Sequence, residues 1–191
     1  MKKILHKDAY NNTLLWWTFT LYIVILIWVI MFKANIFHLI DQMSYIKDLP
    51  LSERISTRYL IPCYSIFESI RYNNHFNFRG HFYNVIAFVP LGIFLQHFIR
   101  KKTYLTSGII ILASTLIFEF TQLFSGIGCF DTTDILTNAL GGILGMLLYK
   151  HVLSKAIKTS VNLASFITNI IITPLAMYAI VNTILHFDVY L

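Results

Sequence analysis

Two carboxylates and an amide lie beside a run of glycines in the segment CFDTTDILTNALGGILG. On a helix, Asp131, Asp134 and Asn138 are spaced by three and four residues, so they lie on one face. Gly141 and Gly145 continue this face at the same spacing. Acidic side chains in an apolar setting can donate and accept protons or bind a polar group. The segment therefore predicts a polar site at one end of a helix and a smooth packing surface at the other.

A second polar pair lies in the preceding apolar segment. Glu119 and Gln122 are three residues apart and share a helix face with Thr115. The connector to Asp131 is short, so we expect an antiparallel hairpin that brings the two polar sets together. Asn84, in the segment before, is expected at the same depth. A carboxylate or amide within a membrane is costly unless it faces the bundle interior, a partner or a water-filled cavity, which makes such residues candidates for function.

Helix capping is an alternative interpretation of the acidic pair. Aspartates at a helix start accept hydrogen bonds from free backbone N–H groups and complement the helix dipole. Capping explains only residues of the first turn. It suits Asp131 alone, whereas Asp134, Asn138 and Glu119 taken together favour a buried polar site.

The overall composition is that of a membrane protein. Of 191 residues, 57% are hydrophobic and 13% charged, with a mean hydropathy of +0.65, whereas about a quarter of the residues in a soluble domain are charged. We predict an all-α membrane protein, with one domain at residues 1–191 that forms a bundle of about five transmembrane helices. The segments long enough, or nearly so, to cross a hydrocarbon core of about 30 Å are Leu14–Phe32, His81–Ile99, Tyr104–Phe124, Thr133–Val152 and Phe166–Phe187.

The basic residues predict the orientation of this bundle. Lysine and arginine cluster before the first segment, between the second and third, and after the fourth, but are absent from the connector at 125–132 and from the tail after 187. By the positive-inside rule the N-terminus is cytoplasmic and the C-terminus is outside. The net charge of +6 then reflects topology, and we expect no nucleic-acid partner. The polar residues described above all fall in the outer leaflet.

Glycine and proline predict how the helices pack. Gly141 and Gly145 form a small-xxx-small pair and Gly142 adds another small position, so a neighbouring helix can approach closely. Pro90 and Gly92 lie near the middle of the second segment, where proline removes a helix hydrogen bond and glycine loosens the backbone. A kink is expected there, although both residues are common in membrane helices without such a role.

The long outer loop contains the stretch LSERISTRYLIPCYSIFESIRY at residues 51–72. It is too short and interrupted to span, and Pro62 breaks it, so we expect an interfacial or re-entrant segment. Arg58 could neutralise the acidic cluster or bind a phosphate, or it could reach only lipid headgroups. The sequence favours neither role.

Two cysteines, Cys63 and Cys129, are expected on the outer side, where a disulfide is conceivable. Two free thiols fit the sequence better. Neither cysteine has the Cys and His spacing of a zinc site, and we expect no bound metal and no cofactor.

Several motifs together resemble the VanZ-like family of small bacterial membrane proteins. The resemblance covers residues from about 54 to 149, with spacing shared across several segments. One departure is Gly128, at a position three residues before the first aspartate where the family often has arginine. The matching parts are Arg58 and Pro62 in RYLIP, Asn84, Phe88, Pro90 and Gly92 in NVIAFVPLG, Glu119 and Gln122 in EFTQ, and Asp131, Asp134, Asn138 and Gly141 in DTTDILTNALGG.

The resemblance implies a multi-pass protein of the bacterial cytoplasmic membrane, linked to resistance against teicoplanin, a glycopeptide antibiotic that carries a fatty acyl chain. Membrane lipids, a lipidated glycopeptide or a cell-wall precursor are the expected partners. Three hypotheses follow, and the sequence favours the first. An outer-leaflet pocket would bind such an amphiphile through the predicted ligand-binding residues Arg58, Asn84, Glu119, Gln122, Asp131, Asp134 and Asn138.

The second hypothesis is an enzyme that modifies an envelope lipid or cell-wall precursor. Glu119 and Asp134 would be its catalytic acid and base, or the carboxylates would hold a hard cation. The third hypothesis is a structural protein whose polar residues hold the bundle together while it acts through a partner in an envelope complex.

Overall fold

A computed structural model describes residues 2–31, 43, 45–46, 48–55, 58–72, 75–99, 104–156, 160–168, 170, 173–174 and 176. This part of the chain is helical and contains no β-strand, which confirms the predicted all-α fold. The fifth predicted span, Phe166–Phe187, lies mostly outside the described residues.

Four long helices correspond to the first four predicted spans, and short helices lie between and after them. In chain order they are α1 (Lys2–Met31), α2 (Leu51–Arg54), α3 (Tyr64–Arg71), α4 (His75–Phe98), α5 (Tyr104–Ser125), α6 (Thr132–Leu148), a π-helical segment (Tyr149–Leu153), α7 (Ser154–Ala156) and α8 (Ser160–Ile167). The α5 helix is followed by Gly126, whose φ of 74° is left-handed, a conformation common just after a helix C-terminus.

Three stretches of the described chain are long and apolar enough to cross a membrane: Thr13–Met31, Tyr104–Ser125 and Thr132–Leu153. The α4 helix has a similar length, but polar residues such as Asn84 and Gln96 interrupt its apolar sequence. Much of the outer surface is apolar, and Leu105 is 73% and Trp17 69% exposed. Helices with this outer surface are suited to lipid rather than to water, so the chain is a membrane protein.

The α6 helix packs most extensively against α4 and next against α5, while α1 packs against α8, α4 and α5. Large aromatic side chains fill the space between α1 and α4. Tyr22 is fully buried and donates a hydrogen bond from its hydroxyl to the Ala87 carbonyl at 2.8 Å. Phe19 meets Phe94 edge-on, with ring centroids 5.0 Å apart.

Glycines lie where α4 and α6 touch. A Cβ atom on Gly141 would overlap the Val85 carbonyl, and one on Gly145 would overlap the Val89 carbonyl. From the other side, a Cβ on Gly92 would overlap the Gly142 carbonyl. The two backbones are therefore in direct contact, which only residues without a side chain permit.

Pro90 is buried within α4, which continues as a helix on both sides of it. The stretch at 51–72, which is the outer loop in the predicted orientation, contains the two short helices α2 and α3. On α3, Ser65 and Ser69 are buried, whereas Phe67 and Ile70 are 68% and 63% exposed. Its polar face thus points into the protein and its apolar face points outwards. Cys63 and Cys129 are both free.

Candidate functional site

The first turn of α6 is fixed by two carboxylates. Asp131 is the N-cap, with an extended backbone, and its Oδ1 accepts a hydrogen bond from the Thr133 N–H at 2.7 Å. The backbone N–H of Asp131 in turn donates to Glu119 Oε2 at 2.9 Å. Because Glu119 lies near the end of α5, this bond joins the two arms of the hairpin. Asp131 therefore acts as a helix cap, as the capping interpretation expects.

Asp134 lies one turn further along α6 and faces α4. Its Oδ1 accepts a hydrogen bond from Asn84 Nδ2 at 2.7 Å and lies 3.1 Å from His81 Nδ1. Asn84 Nδ2 is also 3.5 Å from Thr137 Oγ1. The side chains of His81 and Asp134 are only 11% and 13% exposed. Two residues of α4 thus converge on one carboxylate oxygen of α6.

Asn138 turns towards α5 instead. Its Nδ2 donates to Thr115 Oγ1 at 3.1 Å. Both residues are buried, as is Glu119, which is only 1% exposed. The polar face of α6 therefore meets two neighbouring helices, α4 through Asp134 and α5 through Asn138.

Gln122 and Arg58 lie apart from these contacts. The Gln122 amide donates from Nε2 to the Ile30 carbonyl at 2.9 Å, which ties α5 to α1. Arg58 lies in an exposed turn of the outer loop. Of the predicted ligand-binding residues, the structure brings Asn84 to Asp134 and Glu119 to Asp131, while Asn138, Gln122 and Arg58 lie beside or outside these pairs.

His81 is the residue that the sequence reasoning missed. It was predicted only as the first residue of the second span, but in the structure it joins Asp134. His97 lies at the other end of α4, where its Nδ1 is 3.0 Å from the Tyr149 hydroxyl. The position of His81 three residues before Asn84, on the same face of a helix, is the signal that could have identified it.

The outer loop covers the start of α6. The Tyr59 carbonyl accepts hydrogen bonds from the Thr132 N–H at 3.0 Å and from Thr132 Oγ1 at 2.9 Å. Burial raises the pKa of the Tyr59 phenol, and the nearby acidic groups, first Glu68 and then Cys129 and Asp131, raise it further. The phenol is therefore neutral at physiological pH and adds no charge to the site.

Several buried polar atoms around this region have no hydrogen-bond partner among the described residues. They are His81 Nε2, Thr133 Oγ1, Asn138 Oδ1 and Ser65 Oγ. Buried polar atoms in proteins are almost always paired, so each unpaired one calls for an explanation. The described part of the chain has no group of three or more His, Cys, Asp or Glu residues arranged to hold a metal ion.

A carboxylate that holds one imidazole nitrogen leaves the other free to accept a proton or a hydrogen bond. His81 and Asp134 have this arrangement, and Asn84 holds the carboxylate in place. Chemically, the site can bind a polar group through His81 Nε2 or take a proton from it.

Comparisons with known proteins agree with the resemblance seen in the motifs. A sequence model of the VanZ/LLP1 family matches residues 19–157, a longer region than the 54–149 expected from the motifs. Protein VanZ of Enterococcus faecium is 32% identical over 130 residues, which cover 68% of this chain and 69% of that protein. No solved structure matches the chain.

Proposed function

This chain belongs to the VanZ/LLP1 family, and from that premise we propose that it binds an envelope amphiphile at a polar site between α4, α5 and α6. The observation that carries the proposal is the set of buried polar side chains contributed by these helices. Asn84, Glu119 and Asn138 are each no more than 2% exposed. Their burial in an otherwise apolar bundle is costly in a membrane, and such residues generally mark a pathway or a binding site.

The proposed orientation places this site in the outer leaflet of the bacterial cytoplasmic membrane. Five spans, with the N-terminus inside and the C-terminus outside, put the α5–α6 connector on the outer surface. The cap of α6 and the outer loop bound to it would then lie at the level of lipid headgroups. The exposed apolar side chains of α3, Phe67 and Ile70, suit a segment that lies in this interface.

The ligand that the family suggests is a lipidated glycopeptide of the teicoplanin type. Its acyl chain would insert between the lipids of the outer leaflet, and its polar part would lie near the outer ends of α4, α5 and α6. Binding there would keep the antibiotic from its target. A cell-wall precursor lipid has the same division into an apolar tail and a polar head and would suit the same site.

Catalysis is the second candidate function, and one contact favours it. Asp134 orients the His81 imidazole, and a carboxylate–histidine pair is a common general base. In that case the pair would act as the general base that takes a proton from a hydroxyl of a bound lipid. Glu119 would act as the general acid.

The test is resistance to teicoplanin and vancomycin in a Gram-positive host that expresses the wild type, Asp134→Asn or Glu119→Gln, with the amount of protein in the membrane measured for each. We expect the wild type to protect against teicoplanin and the variants to lose most of that protection at equal abundance. Thr121→Val is the matched control, because Thr121 is exposed on the same helix and its hydroxyl bonds only the Ile117 carbonyl of its own helix. Full protection by both site variants would refute the binding site.

A structural role makes a different prediction in the same experiment. If the polar residues only hold the bundle together, Asp134→Asn and Glu119→Gln should lower protein abundance and protection in parallel. Lost protection at unchanged abundance therefore separates a binding site from a scaffold.

A further inference from the structure

From the geometry around His81 we infer that the site recognises a hydroxyl-bearing headgroup, of the sugar or glycerol type, through His81 Nε2. This inference rests on the proposed function, since it names the ligand chemistry of the same site. The proton between His81 and Asp134 decides which groups the site can bind. An ionised carboxylate only accepts hydrogen bonds, so with Asp134 ionised the contact between Asp134 Oδ1 and His81 Nδ1 at 3.1 Å places a proton on Nδ1.

The other ring nitrogen of His81, Nε2, can accept or donate a hydrogen bond. With the proton on Nδ1, Nε2 of the neutral imidazole carries a lone pair and accepts a hydrogen bond, while in the imidazolium it carries a proton and donates one. His81 Nε2 is buried and has no partner among the described residues. The partner that it lacks has to suit this nitrogen.

A lipid headgroup can offer a phosphate, an ammonium or a hydroxyl group to this nitrogen. A phosphate oxygen accepts only, so it suits the imidazolium alone, and an ammonium donates only, so it suits the neutral ring alone. A hydroxyl donates and accepts. It is therefore the headgroup function that satisfies Nε2 in both protonation states.

The other buried polar atoms without a partner among the described residues, on α3 and α6, suit the same chemistry. Asn138 Oδ1 accepts hydrogen bonds, and the Thr133 and Ser65 hydroxyls donate and accept them. Thr133 is fully buried, and Ser65 lies on α3, which packs against both α4 and α6. A hydroxyl suits each of these atoms, since it donates to the two acceptors and pairs with the two protein hydroxyls.

The substitution His81→Asn provides a selective test. An asparagine amide nitrogen can take the place of Nδ1 and keep the bond to Asp134, while Nε2 is removed. His97→Asn is the matched control, since His97 lies on the same helix at the opposite end and contacts Tyr149. Neither change alters the carboxylates.

The experiment uses the full chain in phosphatidylcholine nanodiscs that contain one of three probe lipids. Phosphatidylglycerol and diglucosyl-diacylglycerol carry hydroxyls, and phosphatidylmethanol has the charge of phosphatidylglycerol without them. Probe lipid retained by the purified protein is counted by native mass spectrometry, and the ¹⁵N signal of His81 Nε2 is followed by NMR. We expect the wild type to prefer the hydroxylated probes by up to about tenfold, the size of a hydrogen bond of about 1.4 kcal/mol.

The His81→Asn protein should lose this preference and the His97→Asn protein should keep it, while the Nε2 signal should shift only with hydroxylated probes. The two hydroxylated probes distinguish a glycerol from a sugar as the source. Equal retention of all three lipids, with an unchanged Nε2 signal, would overturn the inference but leave amphiphile binding intact. Retention of no lipid by the wild type would count against the proposed function itself. Should His81→Asn fail to accumulate, the lipid preference and the NMR signal of the wild type still decide the question.

Discussion

Glu119 illustrates how one buried carboxylate can serve structure and function together. Its Oε2 accepts the Asp131 N–H, and Asp131 then caps α6 through the Thr133 N–H. These two bonds connect the end of α5 to the beginning of α6. A change at Glu119 therefore affects the fold as well as any ligand, and the two effects have to be measured separately.

We predict that Glu119→Leu destabilises the protein more than Glu119→Gln does. Glutamine retains an oxygen that can accept the Asp131 N–H, whereas leucine leaves this donor without its acceptor at a cost of about 1–3 kcal/mol. Thermal unfolding of the purified protein in detergent should give a lower midpoint for the leucine variant. Identical midpoints for the two variants would show that the bond to Asp131 contributes nothing to stability.

At the scale of the helices, the spacing of residues in α6 predicted one polar face but not which neighbour each residue meets. A stripe of residues three and four apart is wide enough to touch two helices. In the structure Asp134 and Gly141 face α4, whereas Asn138 and Gly142 face α5 through Thr115 and Ile111. Sequence periodicity gives the angle of a residue around its own helix, and the arrangement of the other helices decides the rest.

The bounds of α5 and the start of α6 were more predictable, because apolar runs and the polar connector between the two helices define them. The α5 helix at Tyr104–Ser125 and the start of α6 at Thr132 each differ from the predicted span by one residue. The α1 and α4 helices begin earlier than predicted, at Lys2 and His75. The contact between His81 and Asp134 joins residues 53 positions apart. No local pattern encodes such a pair, because it arises only when α4 and α6 are packed together.

The contact between α4 and α6 leads to a prediction about glycine. Gly145→Ala should destabilise the bundle by about 1–3 kcal/mol, the usual cost of overpacking, because the new Cβ would overlap the Val89 backbone carbonyl and the helices would have to separate. Unfolding in increasing sodium dodecyl sulfate measures this loss.

The matched control for this change is Gly108→Ala on α5. A Cβ at Gly108 would meet no atom within 4 Å, and alanine has the higher helix propensity, so stability should be unchanged or slightly increased. If both substitutions had the same effect, close backbone contact at Gly145 would not explain its glycine.

The whole bundle has polar contacts at both ends of its apolar middle. At one end lie Asp134, His81 and Asn84, and at the other Gln96 Nε2 donates to Ser107 Oγ at 2.9 Å. Between them, α4 and α6 meet through glycine. Neither Gln96 nor Ser107 has a buried polar atom that lacks a partner among the described residues, whereas His81 has one, Nε2. This difference favours binding at the His81 end.

Which end faces outwards is the prediction that decides where this protein acts. Cys129, which is exposed in the α5–α6 connector, and Cys63 in the outer loop are both free, so a membrane-impermeant maleimide should label them in intact cells. Protein packed around part of the Cys129 side chain desolvates its thiol, and this desolvation, followed by the nearby Asp131, raises the pKa of the thiol. The reactive thiolate is therefore scarce at neutral pH, and labelling of Cys129 should accelerate about tenfold per pH unit as the pH rises towards that pKa.

The control for orientation is Ser154→Cys in a chain whose own cysteines are replaced. Ser154 is exposed and lies beside Lys150 and Lys155, at the end of α6 opposite to Cys129, and the positive-inside rule places it in the cytoplasm. It should react only after the membrane is permeabilised. If this variant were labelled in intact cells and Cys129 were not, the bundle would have the opposite orientation in the membrane. The His81 cluster would then face the inner leaflet, where an antibiotic arriving from outside could not reach it without crossing the membrane.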